Sequence, residues 1–382
     1  MSAKVAATRR VTIVKTVIKQ YRLPFFQKLH AALLSEGIEL EVLYGMPSPK
    51  ERTKNDNIDL SPPLGRCIAS RYMWQDQLLV QWPGWRPLRE SDLVILVNAN
   101  RNLLNLPLLS LSRVGLKKVA LWGHGQNHQS GERTFRERFK ERLALWPSWW
   151  FAYTDSTADY LAGLGYSRQH ITTINNAIDT SGFSAQVDAV SPSDMEAMYK
   201  WLDLSSGDRI ALYCGSLYPE KRIPELIEVA RIVAMRNPHF RLVVIGSGPQ
   251  ENLIRDALKD QPHLRYAGSL FGQDKAICYR LSEFILNPGL VGLAILDAFA
   301  AGRPLLTYAD SLHSPEIAYL EHENNGLLIN GNAKELAATI LALLEDPSRL
   351  ARLSEGALRS SNQYSVEDMV KRVQKGILQC LD

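Results

Sequence analysis

Two adjacent cations in the second half of the chain follow a glycine turn and could hold an anionic group. Residues 210–214 have the composition of a buried strand, and Gly215 and Ser216 start the turn that leads to Lys221 and Arg222. A helical pattern begins directly after these cations, and the first turn of a helix offers unpaired N–H groups and a partial positive charge. The segment is therefore a candidate diphosphate clamp, with a solvated basic pair as the alternative.

A pair of glycines, Gly246 and Gly248, follows the next strand pattern at residues 241–245. A Gly-x-Gly at the end of a strand lets main-chain atoms approach a ligand closely. Taken alone, the pair favours a plain tight turn, and only its place beside the clamp suggests a binding role.

A carboxylate, Asp297, lies within the apolar run of residues 293–300. A helix with almost no polar face must be buried, and a carboxylate inside it needs a partner. The two hydroxyl groups of a ribose would satisfy it, and the alternative is a structural bond to nearby backbone or to Arg303. Gly289 and Gly292 precede this helix and leave room for a ligand.

These segments belong to a regular alternation of aliphatic runs and amphipathic helical patterns, which predicts parallel sheets with crossover helices. Strands are expected at 11–15, 40–44, 93–97, 118–122, 150–153, 171–174, 210–214, 241–245, 264–266, 284–286, 304–307 and 326–329. Helices are expected at 23–35, 134–146, 156–164, 195–201, 223–236, 251–260, 275–281, 293–300, 333–344 and 365–381. The predicted fold class is α/β, with two Rossmann-like domains facing across a cleft.

The predicted domains are a first Rossmann-like domain at 1–184, a polar linker at 185–207, and a second Rossmann-like domain at 208–360. A last helix at 361–382 ends the chain, and its return to the first domain is one alternative. Open α/β sheets bind ligands at the carboxyl ends of their strands, so the cleft is where the chemistry is expected.

Together these segments resemble the donor-binding domain of retaining family 4 glycosyltransferases of the GT-B fold. The family frame Pro-…-Gly-Leu-…-Glu-Ala-x-Ala-x-Gly-x-Pro is present at 288–304, and residues 314–317 and 325–329 are similar to the next family block. Residues 174–179 look like the hinge segment of the family. The resemblance covers residues 150–345, and it implies that the first domain binds the acceptor and the second binds the nucleotide sugar.

The resemblance also implies roles for individual residues. The implied catalytic residues are His124, Lys221 and Arg222. The implied donor contacts are Gly215, Ser216, Gly246, Gly248, Ser269, Leu270, Gly289, Leu290, Val291, Gly292, Leu293 and Asp297. The donor is expected to be a nucleotide-diphosphate sugar, with a UDP-sugar favoured over a GDP-sugar, and transfer is expected to retain the anomeric configuration.

Three positions depart from the family pattern. The first glutamate of the Glu-x7-Glu motif falls on Gly289, the second is shortened to Asp297, and the arginine of Gly-Arg-Leu is replaced by Ser216. These changes leave open a degenerate protein that binds nucleotide sugar without turnover. A nucleotide-sugar epimerase, which shares the fold, is a further alternative, although more carboxylates and histidines would be expected in its cleft.

The first half contributes four candidate residues. His124 follows a strand in the segment 122–128, where family members often place a histidine that touches the sugar, and His128 is a weaker candidate. Tyr21 and Arg22 follow the first strand and are candidate acceptor contacts. For His124 and Arg22 the alternatives are a turn histidine and a surface arginine at a helix start.

The acceptor is expected to be a glycan or a lipid-linked acceptor in surface polysaccharide synthesis, which raises the question of membrane contact. Residues 133–142 are basic and helical, and Trp146, Trp149 and Trp150 follow. Basic and aromatic residues together occur on membrane-bound surfaces. The pattern nevertheless favours a buried strand that begins at Trp149, with peripheral membrane contact as a hypothesis.

The composition limits the remaining function classes. The chain has 382 residues, 46% of them hydrophobic and 22% charged, and a net charge of +4, which is typical of a globular protein and gives no support for nucleic-acid binding. No apolar segment is long enough to span a bilayer, and the N-terminal segment does not have the pattern of a signal peptide. The four cysteines are Cys67, Cys214, Cys278 and Cys380. Their scattered spacing and the absence of an Asp-x-Asp pair predict a cytoplasmic protein with no metal or other cofactor.

Overall fold

The computed structural model describes residues 9–52, 56–99, 101–125 and 135–382, which form two compact units. The first unit contains the chain up to Ile178 together with Val366–Asp382, and the second contains Asp179–Ser365. The strands are β1 (Arg9–Lys15), β2 (Ile38–Gly45), β3 (Gly65–Met73), β4 (Leu78–Trp82), β5 (Leu93–Val97), β6 (Lys118–Gly123), β7 (Trp149–Ala152), β8 (Ile171–Thr173), β9 (Arg209–Cys214), β10 (Phe240–Ile245), β11 (Leu264–Gly268), β12 (Phe284–Leu286), β13 (Leu305–Tyr308) and β14 (Gly326–Ile329). The helices are α1 (Leu23–Leu34), α2 (Pro49–Arg52), α3 (Trp85–Glu90), α4 (Asn105–Arg113), α5 (Phe135–Ala144), α6 (Asp155–Gly163), α7 (Thr180–Asp188), α8 (Pro192–Trp201), α9 (Ile223–Arg236), α10 (Glu251–Ala257), α11 (Gly272–Leu281), α12 (Ala294–Ala300), α13 (Ala333–Glu345), α14 (Pro347–Gln363) and α15 (Val366–Leu381).

Each unit is built on one twisted sheet. The strand order is β4-β3-β2-β1-β5-β6-β7-β8 in the first unit and β11-β10-β9-β12-β13-β14 in the second. Every neighbouring pair is parallel except β3 and β4. The strand order changes direction between β1 and β5 in one sheet and between β9 and β12 in the other, and such switch points are where α/β sheets bind ligands.

The central strands are buried on both faces, as expected for parallel sheets covered by helices. In β9, Ile210, Ala211 and Leu212 are all at most 1% exposed, and the same holds for Leu93, Val94, Ile95 and Leu96 of β5. Continuous apolar runs therefore mark these strands, and each strand predicted from the sequence overlaps an observed one. The strands β3 and β4 escaped prediction because β3 mixes polar and apolar residues at the sheet edge.

Residues 185–207, expected to be a linker, lie in the second unit and are largely helical. The helix α8 starts with a capping box, in which the Ser191 side chain accepts from the Asp194 N–H and the Asp194 carboxylate accepts from the Ser191 N–H. Ser191, one of the serines that suggested an interdomain connection, thus starts a helix. The division between the units falls at Ile178 and Asp179, and the Asp179 carboxylate caps α7.

The last helix, α15, belongs to the first unit and packs mainly on α1. Its apolar face is fully buried at Met369, Val373 and Ile377. Residues 361–365 of the predicted final segment instead belong to the second unit, where α14 ends.

Candidate functional site

The loops that follow β9 and β12 meet at the switch point of the second sheet. The Leu290 N–H donates to the Glu220 carbonyl at 2.8 Å, and Lys221 Nζ donates to the Leu290 carbonyl. Lys221 ends a short 3-10 helix, Pro219–Lys221, that places it beside this peptide. Burial lowers the pKa of Lys221 to about 8, so the side chain is mainly charged at pH 7. The arrangement presents one desolvated cation at the point where a ligand is expected.

Gly289 leaves no room for the side chain that the family motif has at this position. A Cβ built on Gly289 would lie 2.5 Å from the Lys221 Cα and closer still to the Glu220 carbonyl oxygen. Carbon atoms do not approach backbone that closely, so a side chain would push the two loops apart. The missing glutamate is therefore coupled to the packing that positions Lys221.

Arg222 is held within the second unit by several partners. One terminal nitrogen of its guanidinium donates to Ser311 Oγ at 2.8 Å and the other to Glu225 at 2.7 Å. The guanidinium also lies 4.9 Å from the centroid of the Tyr308 ring. Because Glu225 offsets its charge, Arg222 and Lys221 are not equivalent members of a clamp.

Asp297 has a protein partner that the sequence did not suggest. Lys275 Nζ lies 2.8 Å from Asp297 Oδ2, and the two side chains are 20% and 16% exposed. Burial opposes the charge on Lys275, but the neighbouring Asp297 carboxylate outweighs it and raises the pKa of Lys275. Arg303, the alternative partner, donates instead to the carbonyls of Tyr279 and Arg280. The pair engages Oδ2 of Asp297.

The Gly-x-Gly is explained by contact between two loops of the second unit. A Cβ on Gly246 would overlap the Gly215 carbonyl oxygen, and one on Gly248 would lie 2.7 Å from the Leu217 carbonyl oxygen. The backbone φ angles at these glycines are +144° and +155°. The Leu217 N–H donates to the Ser247 carbonyl at 2.9 Å. The close approach that requires glycine is therefore between backbone segments, as in the tight-turn interpretation.

The other predicted donor contacts flank these loops. Ser216 and Ser269 are exposed, and Ser269 Oγ donates to Ser247 Oγ at 3.0 Å. Val291 is fully buried. The partly exposed members are Leu270, Leu290, Gly292 and Leu293.

Sequence reasoning missed His313, which organises the loop after β12. Its Nδ1 accepts from the Val291 N–H at 3.1 Å, and its Nε2–H donates to the Tyr308 carbonyl at 2.8 Å. Burial lowers the pKa of His313, which favours the neutral ring that these two bonds require. A signal was present, because His313 directly precedes the family block at residues 314–317.

Two buried cations lie at the carboxyl edge of the first sheet. Lys15, the last residue of β1, is 9% exposed, and Arg22 is 4% exposed. Lys15 Nζ lies 4.4 Å from the centroid of the Trp122 ring. Arg22 donates to the Ala177 carbonyl at 3.3 Å and to the Asn176 side chain. Burial, with the nearby Arg22 charge, lowers the pKa of Lys15 to about 7.

These two cations line a cavity of about 290 Å³ at the switch point of the first sheet, together with Tyr21 and with Val97 at the end of β5. The two predicted acceptor contacts, Tyr21 and Arg22, therefore share one cavity. The His124 ring lies 4.4 Å from the ring of Tyr153, which also lines this cavity. His128 lies outside the described residues.

A larger cavity, of about 560 Å³, lies at the opposite edge of the same sheet. It is lined by Lys118 and Trp149, the first residues of β6 and β7, so it faces the amino ends of the strands. Lys118 Nζ already donates to the carbonyls of Cys380 and Leu381, both at 2.8 Å. The smaller cavity is the one at the carboxyl edge, where open α/β sheets bind ligands.

The tryptophans considered for membrane contact are mainly internal. Trp149 and Trp150 begin β7 and are 5% and 0% exposed, which confirms the buried-strand interpretation. Residues 133 and 134 of the basic segment lie outside the described residues. No helix in the described part of the chain combines the length and the apolar composition needed to cross a bilayer. Within that same part, no three His, Cys, Asp or Glu side chains gather as metal ligands would.

The match to a known protein family falls within the second unit. Residues 208–346 match the family model for glycosyl transferases group 1. The chain is 24% identical over 194 residues to an alpha-monoglucosyldiacylglycerol synthase of Acholeplasma laidlawii, covering 49% of this chain and 48% of that protein. It is 26% identical over 212 residues to a D-inositol 3-phosphate glycosyltransferase of Thermobispora bispora, covering 51% of this chain and 47% of that protein. The chain spans about half the length of these two curated relatives.

The structural similarity to known proteins extends over more of the chain than the sequence similarity does. The crystal structure of Anabaena Alr3699/HepE in complex with UDP matches with a TM-score of 0.69 at 14% identity, covering 97% of this chain and 99% of that one. This likeness confirms the predicted GT-B fold class with its two parallel-sheet domains.

Proposed function

We propose, from the membership of residues 208–346 in the glycosyl transferases group 1 family, that the protein is a glycosyltransferase that uses a nucleotide-diphosphate sugar. The donor binds to the second unit, and the sugar passes to a hydroxyl of a glycan or lipid-linked acceptor. A UDP-sugar is favoured, since Alr3699/HepE has been crystallised with UDP and with UDP-glucose. A GDP-sugar is the second choice.

The observation that carries the proposal is the contact of Lys221 with the Leu290 peptide at the switch point of the second sheet. A desolvated cation fixed by the loop after β12 is suited to a diphosphate, whose charge it would meet without first losing water. Arg222, already paired with Glu225, is assigned a supporting role.

In the proposed reaction the bond between the anomeric carbon and the diphosphate oxygen breaks while the acceptor oxygen bonds to the same face of that carbon. The acceptor proton passes to the departing diphosphate, so the protein supplies no strong base. Lys221 stabilises the negative charge that develops on the leaving group. We propose no metal in this step, because the chain contributes its own cation.

The ribose is assigned to Asp297. Its Oδ2 is held by Lys275, which fixes the carboxylate and orients Oδ1. A hydroxyl bound to a charged acceptor contributes more than one bound to a neutral group. In this proposal Lys275 is the structural partner of Asp297, and Oδ1 accepts a hydrogen bond from the ribose of the nucleotide sugar.

The acceptor class is supported by the names of two relatives, one a synthase of a glucosylated diacylglycerol and the other a glycosyltransferase named for D-inositol 3-phosphate. We place the protein in the cytoplasm, working at the inner face of the membrane on a surface glycan or its lipid-linked precursor. His124 and Tyr21 are proposed to face this acceptor.

A second candidate function is binding of the nucleotide sugar without transfer. It is favoured by Gly289, where the carboxylate expected to hold the sugar is absent and cannot be restored without moving the backbone of residues 220 and 221. Release of nucleoside diphosphate separates the two candidates, because a binding protein releases none.

The binding assignment is tested by thermal denaturation of the protein with UDP, GDP and ADP. A ligand that binds only the folded state raises the unfolding temperature. UDP is expected to give the largest rise, and K221A is expected to abolish it. The matched control is K259A, which removes a lysine of the same unit that is exposed and paired with Asp256. An unchanged response in K221A would contradict the assignment.

A further inference from the structure

We infer that the cavity of the first unit binds a phosphoryl group, and that the acceptor of the proposed transfer carries that group. The claim that the bound molecule is the sugar acceptor rests on the proposed function, whereas the anion site itself rests only on the cavity. The cavity is lined by Lys15, Lys19, Arg22, Arg101, Glu51 and three tyrosines.

The first argument is the isolation of the Lys15 ammonium. Lys15 is 9% exposed, and within the described residues its Nζ makes no hydrogen bond or ion pair, with only the Trp122 ring face at 4.4 Å. Burial of a charge without a partner is unfavourable, and a cation–π contact offsets only part of that cost. An ammonium that lines a cavity at this cost is suited to an incoming anion.

The comparison with neighbouring lysines shows that Lys15 differs from its surroundings. Lys117 donates to the Ser91 and Arg89 carbonyls, and Lys118 to those of Cys380 and Leu381. These two lysines have internal acceptors and a structural role. Lys15 faces a cavity instead.

The second argument is the charge balance of the cavity. Among the described lining residues the one carboxylate is Glu51, which lies 2.6 Å from Lys19 Nζ, and the same ammonium also lies 2.7 Å from Asp56. The cations that remain are Lys15, Arg22 and Arg101. Arg22 is 4% exposed and bonds to neutral acceptors at Ala177 and Asn176, which hold its guanidinium without neutralising it.

The third argument is the number of donors. A phosphate monoester carries up to two charges and three terminal oxygens, and arginine and lysine together match both. A ligand with a single carboxylate would offset only one of the positive charges of the cavity. Tyr21, Tyr72 and Tyr153 line the same cavity, where the Tyr72 hydroxyl donates to the Met46 carbonyl at 3.0 Å.

The test uses the full chain titrated at pH 6.5 with inorganic phosphate, with glycerol 3-phosphate and with glycerol, followed by calorimetry. We expect both phosphates to bind and glycerol not to bind. K15M should weaken phosphate binding at least tenfold, and K15R should keep it within about threefold. K117M is the matched control, since Lys117 is a partly buried lysine of the same unit outside the cavity. Denaturant unfolding of each variant verifies that it is folded.

A parallel titration with UDP separates this site from the donor site. K15M should still bind UDP, and K221A should lose UDP but keep phosphate within about twofold. Phosphate binding that survives in K15M, or that K221A alone removes, would overturn the inference, as would wild-type protein that binds neither phosphate. If no variant binds UDP while K15M still loses phosphate, the anion site stands and the proposed function fails.

Sedimentation with lipid vesicles identifies the source of the phosphoryl group. Wild-type protein that sediments with phosphatidic acid vesicles, but not with phosphatidylcholine vesicles, and is displaced by glycerol 3-phosphate indicates a lipid headgroup. Binding of glycerol 3-phosphate without sedimentation indicates a soluble phosphate ester. Both results support the site, provided that K15M abolishes them.

Discussion

Lys275 Nζ and Asp297 Oδ2 lie 2.8 Å apart and join α11 to α12 in the second unit. Both groups are largely removed from water, so loss of one leaves the other without its partner. We expect K275M to lower the free energy of unfolding by about 3 kcal/mol, measured by urea denaturation. The comparison variant K259A breaks an exposed pair and should change the free energy of unfolding by less than about 1 kcal/mol. Equal stabilities of the two variants would refute the structural role of the pair.

Asp297 is also predicted to recognise the ribose. If its Oδ1 accepts from the 2′-hydroxyl, wild-type protein should bind UDP about tenfold more tightly than 2′-deoxy-UDP, corresponding to about 1.4 kcal/mol. D297N should weaken UDP binding and remove most of this preference, because a neutral amide oxygen is a weaker acceptor. Calorimetric titration of both nucleotides checks the prediction. A preference that persists in D297N would assign the ribose to another group.

Gly289 is predicted to tolerate no side chain. In G289A the new Cβ meets the backbone of residues 220 and 221, so we expect a loss of about 2 kcal/mol in stability and weaker UDP binding as Lys221 is displaced. G292A is the matched control, because a Cβ on Gly292 lies 3.5 Å from Ser314 Oγ, an ordinary contact. Urea denaturation distinguishes the variants. Should G289A match G292A, the close packing of the loops would be incorrect.

The pH dependence of anion binding in the first unit follows from Lys15. Burial lowers its pKa to about 7, so the ammonium is charged below pH 7 and neutral above it. Sulfate keeps a constant charge over this range, and we expect its affinity to fall about tenfold between pH 6.5 and 8.5. The other charged residues among the described lining of the cavity are Lys19, Arg22, Arg101 and Glu51, and Glu51 is paired with Lys19.

K15R is the control for this pH effect, since arginine does not lose its proton in the range tested. Its sulfate affinity should be nearly independent of pH. A steep pH dependence in K15R, or none in the wild type, would attribute the effect to another group.

The sequence predicted much of the fold and part of the site, for reasons that particular residues make clear. Buried parallel strands are continuous apolar runs, so 210–214 and 93–97 could be placed directly. Lys221 and Asp297 could be singled out as candidates because each lies in a short local frame. The serine-rich segment around Ser191 was misread as a linker because helix caps and loops share the same residues.

The partners of these residues could not be predicted in the same way. Lys275 is far from Asp297 in sequence, and only the packing of α11 on the sheet brings their charges together. Lys15 ends an apolar strand, where a lysine is usually solvated, and only the strand order of the first sheet places it beside Arg22 and Trp122. Pairings between distant elements depend on topology, which one local pattern does not specify.

The central claim, that the protein transfers sugar from a nucleotide donor held by Lys221, is tested most directly by release of nucleoside diphosphate. Purified protein is incubated with UDP- and GDP-sugars in the presence of cellular glycan and lipid fractions, with EDTA in a parallel series. We predict release from at least one donor, no effect of EDTA, and a fall in kcat/KM of about 100-fold in K221A. No release from any donor, or full activity in K221A, would contradict the account.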